Sequence, residues 1–234
     1  MTKATDHRLP SQSTGRHLRW SACYNARDLG GHATDDGGMT RMGAVVRADS
    51  VGRLTEQGCA ALEAYGIRTI IDLRAAVEVR DEPSPFVEHA AIGAHHLPLN
   101  PNDRGISKAV IAHTAAGLPH LAAVNAAYLA TNGAQIAAIM RAIADAPEGG
   151  VLFHCHAGRD RTGLIAALLL GVAGVPAATI ITDYTLSFGS TAETMEATLG
   201  HVESAYGGIR GYLRSIDLTD AEIVSVRRRL RADE

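Results

Sequence analysis

A chain of 234 residues is long enough to bury a sizeable core, and 46% hydrophobic against 20% charged residues is the balance of a globular protein in water. A net charge of −3 gives no reason to expect nucleic-acid binding, and three widely spaced cysteines make neither a disulfide framework nor a CxxC pair, which fits a reducing compartment. The polar opening lacks the apolar run of a signal peptide, and the longest apolar stretch, 164–175, is too short to cross a bilayer; the expected location is the cytoplasm, or outside the cell without a cleaved signal, with no integral membrane association.

Residues 1–17 read as a polar, mobile lead-in and 18–234 as a single domain, since no repeat or long linker interrupts them. TEQGCAALEAYG (55–66) predicts a short helix capped by Thr55 and stopped at Gly66. It runs into IRTIIDLR (67–74), a β-branched run of strand length, and IGAHHLPL (92–99) predicts another short strand. LPHLAAVNAAYLATNG (118–133) and AQIAAIMRAIADA (134–146) read as helices broken at Asn132-Gly133; in the latter Ile136, Ile139, Met140 and Ile143 recur at three and four residues. VLFH (151–154) reads as a buried strand and 164–172 as a buried helix. Further helices run to the end, the last opening on the capping-box pattern TDAE (219–222). Apolar strands separated by helices imply an α/β fold with a parallel sheet covered on both faces. Ligands of such sheets sit beyond the carboxyl ends of the strands, where DLR (72–74) and HCHAGRDR (154–161) fall.

The second of these segments carries chemistry. A short loop containing Gly158, set between a strand end and a helix start, can turn successive backbone N–H groups inward, and the helix dipole adds positive potential. An oxyanion of phosphate size suits that cradle. The same amides, with Arg161, would stabilise a thiolate on Cys155 at its base. Arg161 offers a planar fork to two phosphate oxygens, and Thr162 is placed to hydrogen-bond the sulfur. Such an assembly suits nucleophilic displacement at phosphorus. The competing readings of the cysteine are a buried structural thiol and a metal ligand; successive strand residues point to opposite faces, so His154 and His156 cannot easily converge with Cys155 on one ion.

HCHAGRDRTG (154–163) resembles the signature loop of cysteine-based protein phosphatases, in particular the bacterial atypical protein tyrosine phosphatases of the mycobacterial phosphatase-B type, whose loop reads HCxAGKDRTG. YNARDLGG (24–31) resembles that family's N-F-R-D-L-G-G entry motif, VVRADS (45–50) its R-S-D segment, IRTIIDLR its strand ending D-L-R, and DYTLS (183–187) its D-Y-x-L-S helix. The resemblance implies a cysteine-phosphatase fold, a small central, mostly parallel sheet flanked by helices, with a helical lid. It implies hydrolysis of phosphotyrosine through a phosphocysteine intermediate, extending to phosphoserine/threonine or phosphoinositide substrates, inhibition by phosphate-like oxyanions, and no metal or organic cofactor. By position, Cys155 is the nucleophile and Arg161 the phosphate clamp. This type relies on the signature-loop aspartate, here Asp160, to protonate the leaving group; Asp103, in the loop 100–105, is the rival acid. Ala26 stands where the family has an aromatic, and Arg159 where a lysine is common.

His156, Ala157, Gly158, Arg159 and Thr162 are the expected phosphate-binding residues, with His154 as loop support. Two roles stay open: His156 contacts substrate or is simply exposed, and Arg159 takes a second phosphate or is a solvated arginine beside Asp160. Arg74 adds charge for substrate while Asp72 orients the loop, or the two are a structural ion pair. Asn25, Arg27 and Asp28 are expected to brace the site, and the helices between about 106 and 145 form a lid or plain packing. A rhodanese-type sulfurtransferase and a non-catalytic phospho-binding module are the rival functions.

Overall fold

In the computed structural model, residues 15–99 and 103–232 are described, the side chains of 103–105 excepted. Five strands form one sheet: β1 (Arg27–Asp28), β2 (Val45–Ala48), β3 (Ile67–Asp72), β4 (Gly93–His96) and β5 (Gly150–His154), in the order β1-β2-β5-β3-β4. β1 runs antiparallel to β2, and the other pairs are parallel, with Asp72 level with His154 across β3 and β5. The sheet alternates as a two-residue period requires. Val45, Ile71, Val151 and Phe153 enter one apolar cluster, while Val46, Ile70 and Leu152 enter another.

The first cluster is closed by α5 (Gly133–Ala144), α6 (Asp160–Ala173) and α10 (Asp220–Leu230), through Ile136, Met140, Leu168 and Ile223. Trp20, Phe86 and Leu62 of α1 (Glu56–Ala64) close the second. Both faces are therefore covered, as the apolar strands predict. The exception is β4, whose four residues are all exposed. It is the edge strand, its sequence GAHH brings no large apolar side chain, and the strand expected over 92–99 is half that length.

Local signals hold at the helix ends. Gly58 N donates to Thr55 Oγ1 at 3.2 Å, and Thr219 and Glu222 form a reciprocal capping box. α4 (His120–Thr131) and α5 are separated by Asn132 alone. α2 (Ala76–Asp81), which the sequence pattern did not announce, follows β3. The remaining helices are α3 (Asp103–Ala115), α7 (Ala177–Thr185), α8 (Ala192–Tyr206) and α9 (Ile209–Ser215), with α3 packed along α4. Arg16 and His17, read as part of the lead-in, are tied to β1: Asp28 N donates to the Arg16 carbonyl at 2.9 Å, and His17 bridges Arg27. Among the described residues no helix is long and apolar enough to cross a membrane.

Candidate active site

β5 ends at His154 and α6 begins at Asp160, one residue earlier than the helix start expected near Arg161. Cys155, 3% exposed, lies at the floor of the connecting loop and borders the larger apolar cluster. Burial of the thiol is common to the catalytic and the structural readings. What separates them is the loop above it.

Three consecutive loop carbonyls are engaged from outside. The His156 oxygen accepts from Ser50 N at 3.0 Å and Arg53 Nη2 at 3.1 Å. The Ala157 oxygen accepts from Asn25 Nδ2 at 3.0 Å, and the Gly158 oxygen from Asn25 Nδ2 at 3.1 Å and Arg47 Nη2 at 2.8 Å. In a planar trans peptide the N–H points opposite to the carbonyl. The amides of Ala157, Gly158 and Arg159 therefore face the loop interior, beside the N-terminus of α6, whose N-cap Arg159 supplies no side-chain cap. Gly158 makes this path possible. Its φ is +66°, and a Cβ there would stand 2.6 Å from the Ala48 carbonyl oxygen.

The braces form one buried network. Asp183 accepts from Arg27 Nε at 3.1 Å and Arg47 Nη1 at 2.8 Å, and Arg27 Nη2 reaches Ser187 Oγ at 3.1 Å and the Asp183 carbonyl at 2.8 Å. Asn25 Oδ1 accepts from Arg27 Nη1 at 2.5 Å. Burial pushes the Asp183 carboxyl up, but the two guanidiniums outweigh it and hold it well below the ordinary range. Arg47 pays for the same burial in the opposite sense, brought down to about 10 by desolvation and by neighbouring Arg27 against the pull of Asp183. Asp28 fixes the turn after β1 by accepting from Gly30 N and Gly43 N, both at 2.6 Å. Asp49 gathers Tyr24 N, Asn25 N and the Cys23 thiol, the last at 2.8 Å. Burial and the Asp49 carboxylate push Cys23 far up, so it remains a neutral donor.

Arg161 is held by Glu78 of α2, Nη1 to Oε2 at 2.6 Å and Nη2 to Oε1 at 2.7 Å. Burial lowers the guanidinium's pKa, but Glu78 and the charge on Cys155 outweigh that and leave it above the ordinary arginine range. Glu78 and the Leu73 carbonyl, the latter 3.5 Å from Nη1, engage three of Arg161's five N–H donors and leave the Nε–Nη2 edge for an oxyanion. Arg159 pairs with both Asp160 oxygens, at 3.0 to 3.1 Å. Thr162 is buried with no partner on Oγ1.

Arg74 is fully buried and donates to Asp72, to Ser50 Oγ at 3.0 Å and to the Glu82 carbonyl at 2.8 Å; the structure thus gives Asp72 and Arg74 the ion-pair arrangement and directs no Arg74 hydrogen bond into the loop. His154 is fully buried, with Nε2 3.7 Å from Asp72 Oδ2 and Nδ1 3.2 Å from the Cys155 carbonyl. Burial lowers its pKa despite Asp72, so it is neutral at pH 7. His156 is exposed, two residues beyond the end of β5. The Asp103 side chain lies outside the described residues.

A model of the tyrosine phosphatase family matches residues 18–190. The chain belongs to the tyrosine phosphatase family. A tyrosine-protein phosphatase of Nostoc commune is 31% identical over 221 residues, spanning 80% of this phosphatase and 74% of its own length. The triple specificity protein phosphatase PtpB of Mycobacterium tuberculosis is 25% identical over 269 residues, spanning 87% of this chain and 95% of its own. Among solved structures, P. aeruginosa TpbA aligns over 74% of this chain and 86% of its own at 18% identity and a TM-score of 0.45. The family is one of phosphomonoester hydrolases that act on phosphotyrosine.

Sequence reasoning missed several residues of the phosphatase's site. Glu78 sits on a helix with no buried residue, and nothing in its spacing marks it as the partner of Arg161. Arg47, Asp183 and Ser187 lay in motifs that the resemblance had brought out, without a role. Tyr128 of α4 is buried in the same apolar cluster as Cys155, and burial pushes its hydroxyl up.

Proposed function

We propose that this phosphatase hydrolyses phosphotyrosine in proteins through a phosphocysteine on Cys155, with Arg161 as the phosphate clamp and Asp160 as the general acid. The observation that carries the proposal is the outward engagement of the His156, Ala157 and Gly158 carbonyls, which turns three amides toward an anion above Cys155. The Cys155 thiolate attacks phosphorus and an Sγ–P bond forms. The bond from phosphorus to the tyrosine oxygen breaks, and that oxygen takes the Asp160 proton. Water then attacks phosphorus and gives its proton to Asp160, and the Sγ–P bond breaks to release phosphate and the thiolate.

Arg159 is one-third exposed and uses Nε and Nη2 on Asp160, so its remaining donors suit a second anionic group. The reading therefore extends to phosphoinositides, and to phosphoserine and phosphothreonine in line with the name of the mycobacterial relative.

A turnover panel tests this. Phosphotyrosine peptide should release phosphate fastest, with phosphoserine peptide and phosphoinositides slower and thiosulfate inert. Sulfur transfer from thiosulfate without phosphate release would overturn the proposal, and so would tight binding of phosphotyrosine peptide with no turnover.

A further inference from the structure

The chain has one Trp, six Tyr and three Phe, and among them Tyr24 and Phe188 alone are exposed, at 76% and 87%. Single exposed apolar residues are ordinary on a protein surface. These two share one place. Tyr24 precedes Asn25 and Phe188 follows Ser187, and Asn25 Nδ2 lies 3.2 Å from Ser187 Oγ. The same Asn25 amide holds the Ala157 and Gly158 carbonyls of the signature loop.

Both aromatics stand on fixed backbone. Tyr24 N donates to both Asp49 oxygens, at 3.1 and 3.2 Å. Phe188 lies in a turn closed by Ser190 N on the Ser187 carbonyl at 3.0 Å, with Gly189 at φ +76°. A Cβ on Gly189 would stand 3.0 Å from Arg159 Nη1, so this turn abuts the loop itself. Rings presented on a rigid wall lose little freedom when they meet a partner, and aromatic side chains dominate such contacts.

We infer that Tyr24 and Phe188 form an apolar shelf beside the loop mouth that holds a large apolar side chain of the substrate peptide next to the phosphotyrosine. This rests on the phosphatase reading above. Phosphate occupies the floor over Cys155, and the tyrosine ring rises from it. Side chains exposed by three-quarters or more project beyond a crevice wall, where they meet the peptide on either side of that ring. The loop itself brings charge and amides; the shelf brings area that a polar peptide cannot use.

The test compares kcat/KM for two phosphotyrosyl peptides, one with leucine and one with serine at the positions flanking the phosphotyrosine. The ratio of the two cancels any difference in active fraction between protein preparations. Wild type should favour the leucine peptide by roughly tenfold, the Tyr24→Ala/Phe188→Ala double variant should bring the ratio near one, and Tyr24→Phe/Phe188→Leu should keep it. A wild-type ratio near one overturns the inference, as does a preference that survives the double alanine variant. Absence of turnover on both peptides in wild type would instead mark failure of the phosphatase reading.

Discussion

Glu78 and Arg161 meet fork to fork, with two hydrogen bonds of 2.6 and 2.7 Å from a six-residue helix to the arginine of the signature loop. Glu78 also accepts from Ala75 N at 2.7 Å, which fixes the carboxylate before it fixes Arg161. Glu78→Gln keeps the size and removes the charge. We expect kcat/KM on phosphotyrosine peptide to fall about 10- to 100-fold, the loss of one charge-assisted contact, with little change in the denaturation midpoint. The Arg161 hydrogen bonds hold the Glu78 carboxyl below its ordinary range against partial burial. The brace is therefore present above the ordinary glutamate pKa of about 4.3 and is lost only as pH falls below it.

Asp183 is the one carboxylate between buried Arg27 and Arg47. Asp183→Asn leaves two guanidiniums uncompensated and should lower stability by about 3–5 kcal/mol, read as a shift of the urea midpoint. Because the folded carboxyl titrates below its unfolded value, this contribution is complete above about pH 4 and disappears on further acidification. An unchanged midpoint would show that the network is not what holds the loop's outer wall.

Gly158→Ala places a methyl group 2.6 Å from the Ala48 oxygen and 2.7 Å from Asp49 N, at a φ that alanine resists. Strain of about 1–3 kcal/mol falls on the cradle. Binding of an oxyanion such as tungstate, followed by calorimetry, should weaken by about tenfold or more.

Asp160→Asn tests the proton donor through the leaving group. A general acid matters most where the leaving oxygen is basic, so phosphotyrosine turnover should fall by about 10²–10⁴, and turnover of p-nitrophenyl phosphate, with its stable leaving group, by much less. A uniform loss on both substrates, or the selective pattern in Asp103→Asn, would move the role away from Asp160.

The loop was legible because its signals are local: an apolar strand, a glycine, then a buried helix from Leu164. Asn25, Arg27 and Asp28 were expected to brace the site; Asn25 holds the Ala157 carbonyl, Arg27 holds Asn25, and Asp28 bonds the neighbouring turn. Glu78 was not legible, because the meeting of α2 with the start of α6 is set by tertiary packing and leaves no periodic trace in either segment. Arg74 illustrates the converse. Its charge left a substrate role and an ion pair with Asp72 both open, and only the fold shows its donors spent on Asp72, Ser50 and Glu82. β1, of two residues, pairs antiparallel with β2, and β2, of four, pairs parallel with β5; segments this short announce no period of their own.

Chemical capture of the intermediate tests the central claim most directly. Rapid quench during turnover of a phosphotyrosine peptide, followed by digestion and mass spectrometry, should find a phosphoryl group on the peptide containing Cys155 and none in Cys155→Ser, which should also lose turnover. Turnover that persists in Cys155→Ser, or a phosphoryl group on a peptide containing Cys23 or Cys59 instead, would contradict the account.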